Sequence, residues 1–305
     1  MTPMTSPLPA SAVSEHPPPC PYTIRNLWFH YPPTPQATRG TAPWVIQDLS
    51  LDIPPAKILG IVGPNGSGKT SLTKVLAGIL RPQRGTIRMF DADLGRLTPQ
   101  DRARRVAVVF QDAPITFPMT IRELVLRGRY PHRPTTGLFS GWGWESAQDH
   151  EIARQAMDDV DIASLADRPV HSVSAGERQR AYLARALAQQ TPVLILDEPT
   201  AYLDIHHQVA CFRTLHRLQQ ARRQTIVIVT HDLHLAGHLC DRILLLSRGL
   251  TAALGPPHEV LQADRLESVF HCRVRVLVEP HPLTARPMVT AYPDLESETR
   301  SQPPS

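Results

Sequence analysis

Ile58-Leu59-Gly60-Ile61-Val62-Gly63-Pro64-Asn65-Gly66-Ser67-Gly68-Lys69-Thr70-Ser71 reads as a short buried strand, a turn punctuated by glycine, and the start of a helix. Gly63 to Thr70 fits the pattern G-x-x-x-x-G-K-[ST]. Its glycines let backbone N–H groups wrap phosphates, while the helix that follows points its positive end at them. In such a loop Lys69 reaches the β/γ-phosphates of a nucleotide and Thr70 offers its hydroxyl to Mg²⁺. An ordinary glycine turn entering a helix is the competing reading. The preceding strand argues against it, as does the amphipathic continuation Ser71 to Leu80, which Arg81-Pro82 is expected to end.

Three further runs have strand length and apolar content: Val106 to Phe110, Val193 to Leu196 and Thr225 to Val229. A polar residue able to do chemistry follows each of the four: the Gly63 loop, Gln111, the pair Asp197-Glu198, and Thr230-His231. Short β-branched runs alternating with amphipathic segments specify parallel strands with crossover helices. Ligands of such sheets bind beyond the carboxyl ends of the strands, so these four endings are expected to converge on one crevice. No internal repeat is visible, which indicates one unit rather than a tandem pair.

Asp197-Glu198 closes the run Val193-Leu194-Ile195-Leu196 with two carboxylates. Behind a phosphate loop, that pair suits a Mg²⁺ partner (Asp197) followed by a general base that activates water (Glu198). Ser174-Ala175-Gly176-Glu177 is a Ser-x-x-Glu capping box before a helix running through Arg180, Leu183 and Leu187 to about Gln190. A well-capped helix and nothing more is one reading. A helix N-terminus facing a second nucleotide is the other.

Val173-Ser174-Ala175-Gly176-Glu177-Arg178-Gln179-Arg180, standing before an LILDEPT segment, resembles the signature of ABC ATPases. It departs from the family consensus at Val173, Ala175 and Glu177, and the Ala175 methyl stands where the family's backbone approaches phosphate closely. The resemblance covers about residues 22 to 279. It implies a P-loop NTPase fold: a RecA-like α/β core, an antiparallel β portion near the N-terminus, and a helical subdomain between about Asp112 and Gln190. It implies ATP and Mg²⁺ as ligands, with Gly63, Pro64, Asn65, Gly66, Ser67, Gly68, Lys69, Thr70 and Ser71 holding the nucleotide and Thr70, Gln111 and Asp197 serving the metal. Glu198, His231, Gln111 and Lys69 are implied in catalysis; Gln111 resembles the Q-loop residue, His231 the switch histidine, and Asp204 within Ala201-Tyr202-Leu203-Asp204 the D-loop. Tyr31 resembles the aromatic that stacks on adenine, with a core role beside Trp28, Phe29 and Trp44 as the alternative. A homodimer is implied in which Ser174, Ala175, Gly176 and Glu177 of one subunit close on the phosphates held by the other.

Arg127-Gly128-Arg129-Tyr130-Pro131-His132, read as a surface loop, the Leu203 to Gln208 stretch and the segment Val260 to Phe270 look most like the ATPases of iron-siderophore, haem and cobalamin importers. Those work on the cytoplasmic face of the cell membrane with transmembrane permease subunits and, indirectly, a periplasmic or lipid-anchored substrate-binding protein. A soluble ABC ATPase of nucleic-acid repair or translation and a non-hydrolysing ATP clamp are the competing classes. The first usually carries a second cassette or long coiled coil, and Glu198 argues against the second.

Composition sets the outer limits. The 305 residues are 42% hydrophobic and 20% charged, a globular balance. A net charge of +4 with scattered arginines does not call for nucleic acid. Cys20, Cys211, Cys240 and Cys272 form no C-x-x-C pair. The longest apolar runs fall far below the roughly 18 residues of a membrane helix. Residues 1–20 and 281–305, rich in proline and polar side chains, are expected to be flexible tails, and Leu138 to Trp144 carries Phe139, Trp142 and Trp144 as a partner patch or a local tuck.

Overall fold

The computed structural model describes residues 19–32, 43–110, 118–133, 145–201, 203–280 and 287–293. The proline-rich start, Gln111, Tyr202 and the aromatic stretch 138–144 lie outside the described residues. The chain opens with β1 (Tyr22–Phe29), β2 (Ile46–Ile53), β3 (Ile58–Val62), α1 (Lys69–Leu76), β4 (Arg84–Met89) and β5 (Ala92–Asp93). There follow α2 (Pro99–Ala103), β6 (Val106–Val109), α3 (Ile121–Leu126), α4 (Ala147–Asp159) and α5 (Ala175–Ala188). Next come β7 (Val193–Asp197), α6 (Ile205–Arg222), β8 (Thr225–Val229), α7 (Leu233–Leu239) and β9 (Arg242–Ser247). The last elements are β10 (Leu250–Gly255), α8 (Pro257–Val260), α9 (Ala263–Phe270), β11 (Val274–Pro280) and β12 (Pro287–Pro293).

The principal sheet has the order β10-β9-β3-β8-β7-β6, parallel throughout except for the antiparallel edge strand β10. All five residues of β3, β7 and β8 are buried, as in a parallel sheet covered on both faces. Alternation along each strand divides the side chains between two cores. Ile58, Leu194, Leu196, Ile226 and Ile228 pack with α3 to α6 on one side. Leu59, Ile61, Val193, Ile195, Val227 and Val229 face the other side, where α1 and the antiparallel sheet β2-β1-β4-β5 close over them. The four strand endings singled out in the sequence belong to neighbours in the order β3-β8-β7-β6, so they do open onto one edge.

Three expectations are corrected. Helix α1 stops at Leu76, not Leu80. Gly78, at φ +70, ends it: Gly78 N–H donates to Val75 O and Ile79 N–H to Lys74 O, both at 2.9 Å, which satisfies the last carbonyls before Arg81-Pro82 is reached. The stretch Arg127–His132 is a 3₁₀ helix rather than a surface loop, with Gly128 and Arg129 buried. A Cβ on Gly128 would lie 2.2 Å from Arg185 O, so glycine lets this turn lie against α5. Finally, the fold does not end near residue 280. Pro287–Pro293 pairs antiparallel with β11 across seven positions, because Met288-Val289-Thr290-Ala291-Tyr292 has strand-forming residues between its prolines.

Candidate functional site

The loop after β3 turns on three left-handed glycines. Gly63, Gly66 and Gly68 have φ of +149, +77 and +103, and Gly68 is the N-cap of α1 with no side-chain cap. Cβ atoms on Gly63 and Gly68 would lie 2.2 Å from Leu246 O and 2.7 Å from Val45 O, so these two lean on the wall behind the loop. A Cβ on Gly66 would meet nothing within 4 Å among the described residues, which leaves that side open to a ligand. Ser67 Oγ is buried and, among the described residues, has no hydrogen-bond partner. An uncapped helix start, open space at Gly66 and an orphaned buried hydroxyl fit a phosphate chain, whose oxygens would satisfy the free donors.

Around that cradle the charged groups are drawn together. Lys69 is 8% exposed, and its ammonium donates to Gly63 O at 2.8 Å and Pro64 O at 3.0 Å. Burial lowers its pKa, opposed by the nearby charges of Glu198 and Asp197. Asp197 ends β7 and is 3% exposed, with the Thr70 hydroxyl placed to favour its charged form. Burial raises the Asp197 carboxyl above the ordinary range; the Thr70 hydroxyl only partly offsets this. An acid held this way is short of a countercharge, and beside a Thr hydroxyl it is a donor set suited to Mg²⁺.

Glu198 leaves the strand in the left-handed region at φ +53, and its N–H donates to Val229 O at 2.9 Å. That bend directs the side chain to His231, whose Nδ1 lies 2.9 Å from Glu198 Oε2. His231 itself is open, with its side chain 73% exposed against 11% for Glu198. The two acids thus divide: Asp197 toward Thr70, Glu198 toward His231.

Tyr31 stands at the rim. It is 42% exposed, and its hydroxyl is 3.1 Å from Ser71 Oγ on α1. Phe29 is the core residue of the pair, 2% exposed and edge-on to Tyr31 at 5.0 Å. Trp28 and Trp44 gather elsewhere, around the Arg84 guanidinium.

Other predicted residues are not joined to this cluster. Ser174 is the N-cap of α5 with a complete capping box: Ser174 N–H donates to Glu177 Oε2 at 2.7 Å and Glu177 N–H to Ser174 Oγ at 3.2 Å. Ser174 and Ala175 are exposed, and among the described residues no hydrogen bond joins Ser174, Ala175, Gly176 or Glu177 to the Gly63 loop. Asp204 caps α6, accepting from His207 N–H at 2.9 Å and lying 2.8 Å from His207 Nδ1. Gln111 falls outside the described residues. Sequence reading missed the wall behind the loop, Val45 and Leu246. Only their carbonyls take part, and a carbonyl leaves no mark in residue type.

A family model described as ABC transporter matches residues 46–201. The cobalamin import ATP-binding protein BtuD of Halobacterium salinarum is 37% identical over 83% of this chain, which spans 61% of that relative. The iron(3+)-hydroxamate import ATP-binding protein FhuC of Bacillus subtilis is 33% identical, covering 83% of this chain and 91% of the relative. The hemin import ATP-binding protein HmuV of Pseudomonas entomophila is 40% identical, covering 80% and 93%. A solved ABC transporter of metal-chelate type, in an inward-facing conformation, superposes with a TM-score of 0.74 at 26% identity, covering 92% of this chain and 99% of that one. Among the described residues no helix is long and apolar enough to cross a membrane.

Proposed function

The chain belongs to the ABC transporter family as one of its ATPase cassettes, and from that premise we propose that it hydrolyses ATP to power import of an iron-siderophore complex through separate membrane permease subunits. The observation that carries hydrolysis, rather than binding alone, is the 2.9 Å contact between Glu198 and His231 one residue after Asp197. The Gly63 loop and the N-terminus of α1 take the phosphates, with Ser67 Oγ finding its missing partner there. Lys69 exchanges its bonds to Gly63 O and Pro64 O for phosphate oxygens. Mg²⁺ would be held by Thr70 and Asp197 and would neutralise phosphate charge when bound. Glu198 accepts the proton of the attacking water while His231 orients the carboxylate and faces the γ-phosphate. Tyr31 offers its exposed ring to adenine.

Two copies act together in this reading. Ser174 and Ala175 are exposed, and among the described residues none of Ser174 to Glu177 is hydrogen-bonded to the phosphate loop of its own chain, so they serve a partner's nucleotide, with the D-loop Asp204 nearby in the shared interface. Helices α3 to α5 form the subdomain that presents them. The cassette works at the cytoplasmic face of the membrane, and a substrate-binding protein delivers cargo to the permease from outside.

The relatives named for hemin and cobalamin import make those cargoes the second reading. Membrane co-purification that identifies the permease, followed by uptake assays with the three cargo classes, separates them. Glu198→Gln tests the base: turnover should fall at least about 100-fold while ATP binding persists. Unchanged turnover in the pure variant would refute the assignment.

A further inference from the structure

The phosphate loop is held from behind by a turn that lies far away in sequence. Arg248 and Gly249, with φ of +49 and +82, form the tight connection of the β9–β10 hairpin, in which Ser247 pairs with Leu250. Gly249 N–H donates to Ser67 O at 3.1 Å, so the turn bonds directly to the phosphate loop. The turn is fixed in its own right by β2 and the residue before it. Gln47 N–H donates to Gly249 O at 2.8 Å, and the Gln47 side-chain amide donates to Arg248 O at 3.1 Å. A Cβ on Gly249 would lie 2.6 Å from Val45 O, the same carbonyl against which Gly68 of the phosphate loop packs. Val45 N–H in turn donates to Phe29 O at 2.8 Å, two residues before Tyr31.

We infer that Gln47 and Gly249 are positioning residues for nucleotide binding: they brace Ser67 through its carbonyl and keep the phosphate loop preformed. Neither belongs to the loop. Their effect is transmitted through the backbone, since a peptide pinned at its carbonyl presents the N–H groups on its other side in a fixed direction. A cradle already in its bound shape loses less conformational freedom on binding, and the saving appears as affinity. Because Val45 supports both Gly68 and the end of β1 at Phe29, two residues before Tyr31, the brace also fixes the spacing between phosphate and nucleobase ends. This inference rests on the reading of the chain as an ATP-binding cassette.

The test is equilibrium binding of a fluorescent ATP analogue, with KM, kcat and melting temperature, on full-length Gln47→Leu, Gln47→Lys and Gly249→Ala. Gln47→Leu keeps the backbone bond and deletes the side-chain donor. Loss of one such bond from the brace should weaken nucleotide binding about three- to tenfold and raise KM in step, with kcat at saturation within about twofold. Gln47→Lys, which retains a donor of sufficient reach, should restore most of the affinity. Gly249→Ala should weaken binding further, since the Cβ meets Val45 O in a left-handed conformation. Nucleotide affinity of Gln47→Leu within about twofold of wild type, measured well below its melting temperature, would overturn the brace. Wild-type protein that binds no nucleotide would instead sink the ATPase reading itself.

Discussion

Replacing Arg129 with Met should destabilise the protein by about 3 kcal/mol, because it unpairs a buried ion pair rather than a surface one. The Arg129 and Asp149 side chains are only 9% and 14% exposed, with Nε 2.8 Å from Oδ1. The same guanidinium donates to Ala188 O at 2.9 Å and Gln190 Oε1 at 3.1 Å, so one side chain ties the 3₁₀ turn after α3 to the start of α4 and the end of α5. Removing one partner of a fully buried pair costs about 3 to 5 kcal/mol, and the residual exposure of Asp149 places this one at the lower end. For a chain of this size, that is a fall in melting temperature of roughly 6 to 12 °C. Acid supplies an internal control. Burial pushes the Asp149 carboxyl upward, but hydrogen bonds from Arg129 and Ser146 outweigh it and hold the group below the usual carboxylate range. A depressed folded value means the stabilisation is complete above the unfolded value, about 3.9, and is lost as pH falls through the lower folded one. The gap between wild type and Arg129→Met in urea or thermal unfolding should therefore be full at pH 7 and close in acid. A difference under about 1 kcal/mol at neutral pH, or one that persists unchanged in acid, would show that the pair behaves like an exposed one and refute the reasoning.

Asp197→Asn should raise the melting temperature of the nucleotide-free protein while removing Mg²⁺-dependent hydrolysis. The folded pKa of Asp197 is raised, so its contribution favours folding below the unfolded value and is lost as pH climbs through the folded one; a neutral amide of the same shape removes that penalty. Thermal melts at neutral pH check it, and a lower melting temperature would count against it. At Ser174, Ala should lose about 1 kcal/mol of cap stability, whereas Asp should keep the cap but place a carboxylate where a partner's phosphate is expected. Hydrolysis measured against protein concentration should be lost in Ser174→Asp even though its melting temperature stays near wild type; full activity there would remove Ser174 from the shared site.

Much of the site could be read in the chain because its chemistry depends on residue type at fixed spacing. Gly63 to Thr70, Asp197-Glu198 and Ser174 to Glu177 are local patterns, each within one strand-loop-helix or one helix start, and each is found in the expected conformation. The four strand endings were legible for the same reason: a strand buried on both faces has an unmistakable composition, and its polar terminus stands out. The end of α1 is hidden in the sequence, because Gly78 terminates it through backbone bonds while the apolar spacing runs on to Leu80. The burial of the Arg127–His132 turn leaves no mark in the sequence, because arginine normally signals a surface and the groups that make a buried Arg129 tolerable, the Asp149 carboxylate with Ala188 O and Gln190 Oε1, come from other elements.

By itself, then, the sequence determined which groups are available: a glycine-rich loop between a strand and a helix, two adjacent acids, a histidine after a strand, and a capped helix. Tertiary structure alone decided their order across the sheet. Strand β3 lies beside β8, which is beside β7, so His231 and Glu198 come within 2.9 Å although 32 positions separate them, and both flank the Lys69 loop. Strand adjacency is settled by which buried faces pack together, a non-local property that no spacing encodes. The same holds for the wall behind the loop. Val45 O, Leu246 O and Gly249 N–H are backbone groups, identical in every residue, and only the fold gives them a place beside Gly63, Ser67 and Gly68.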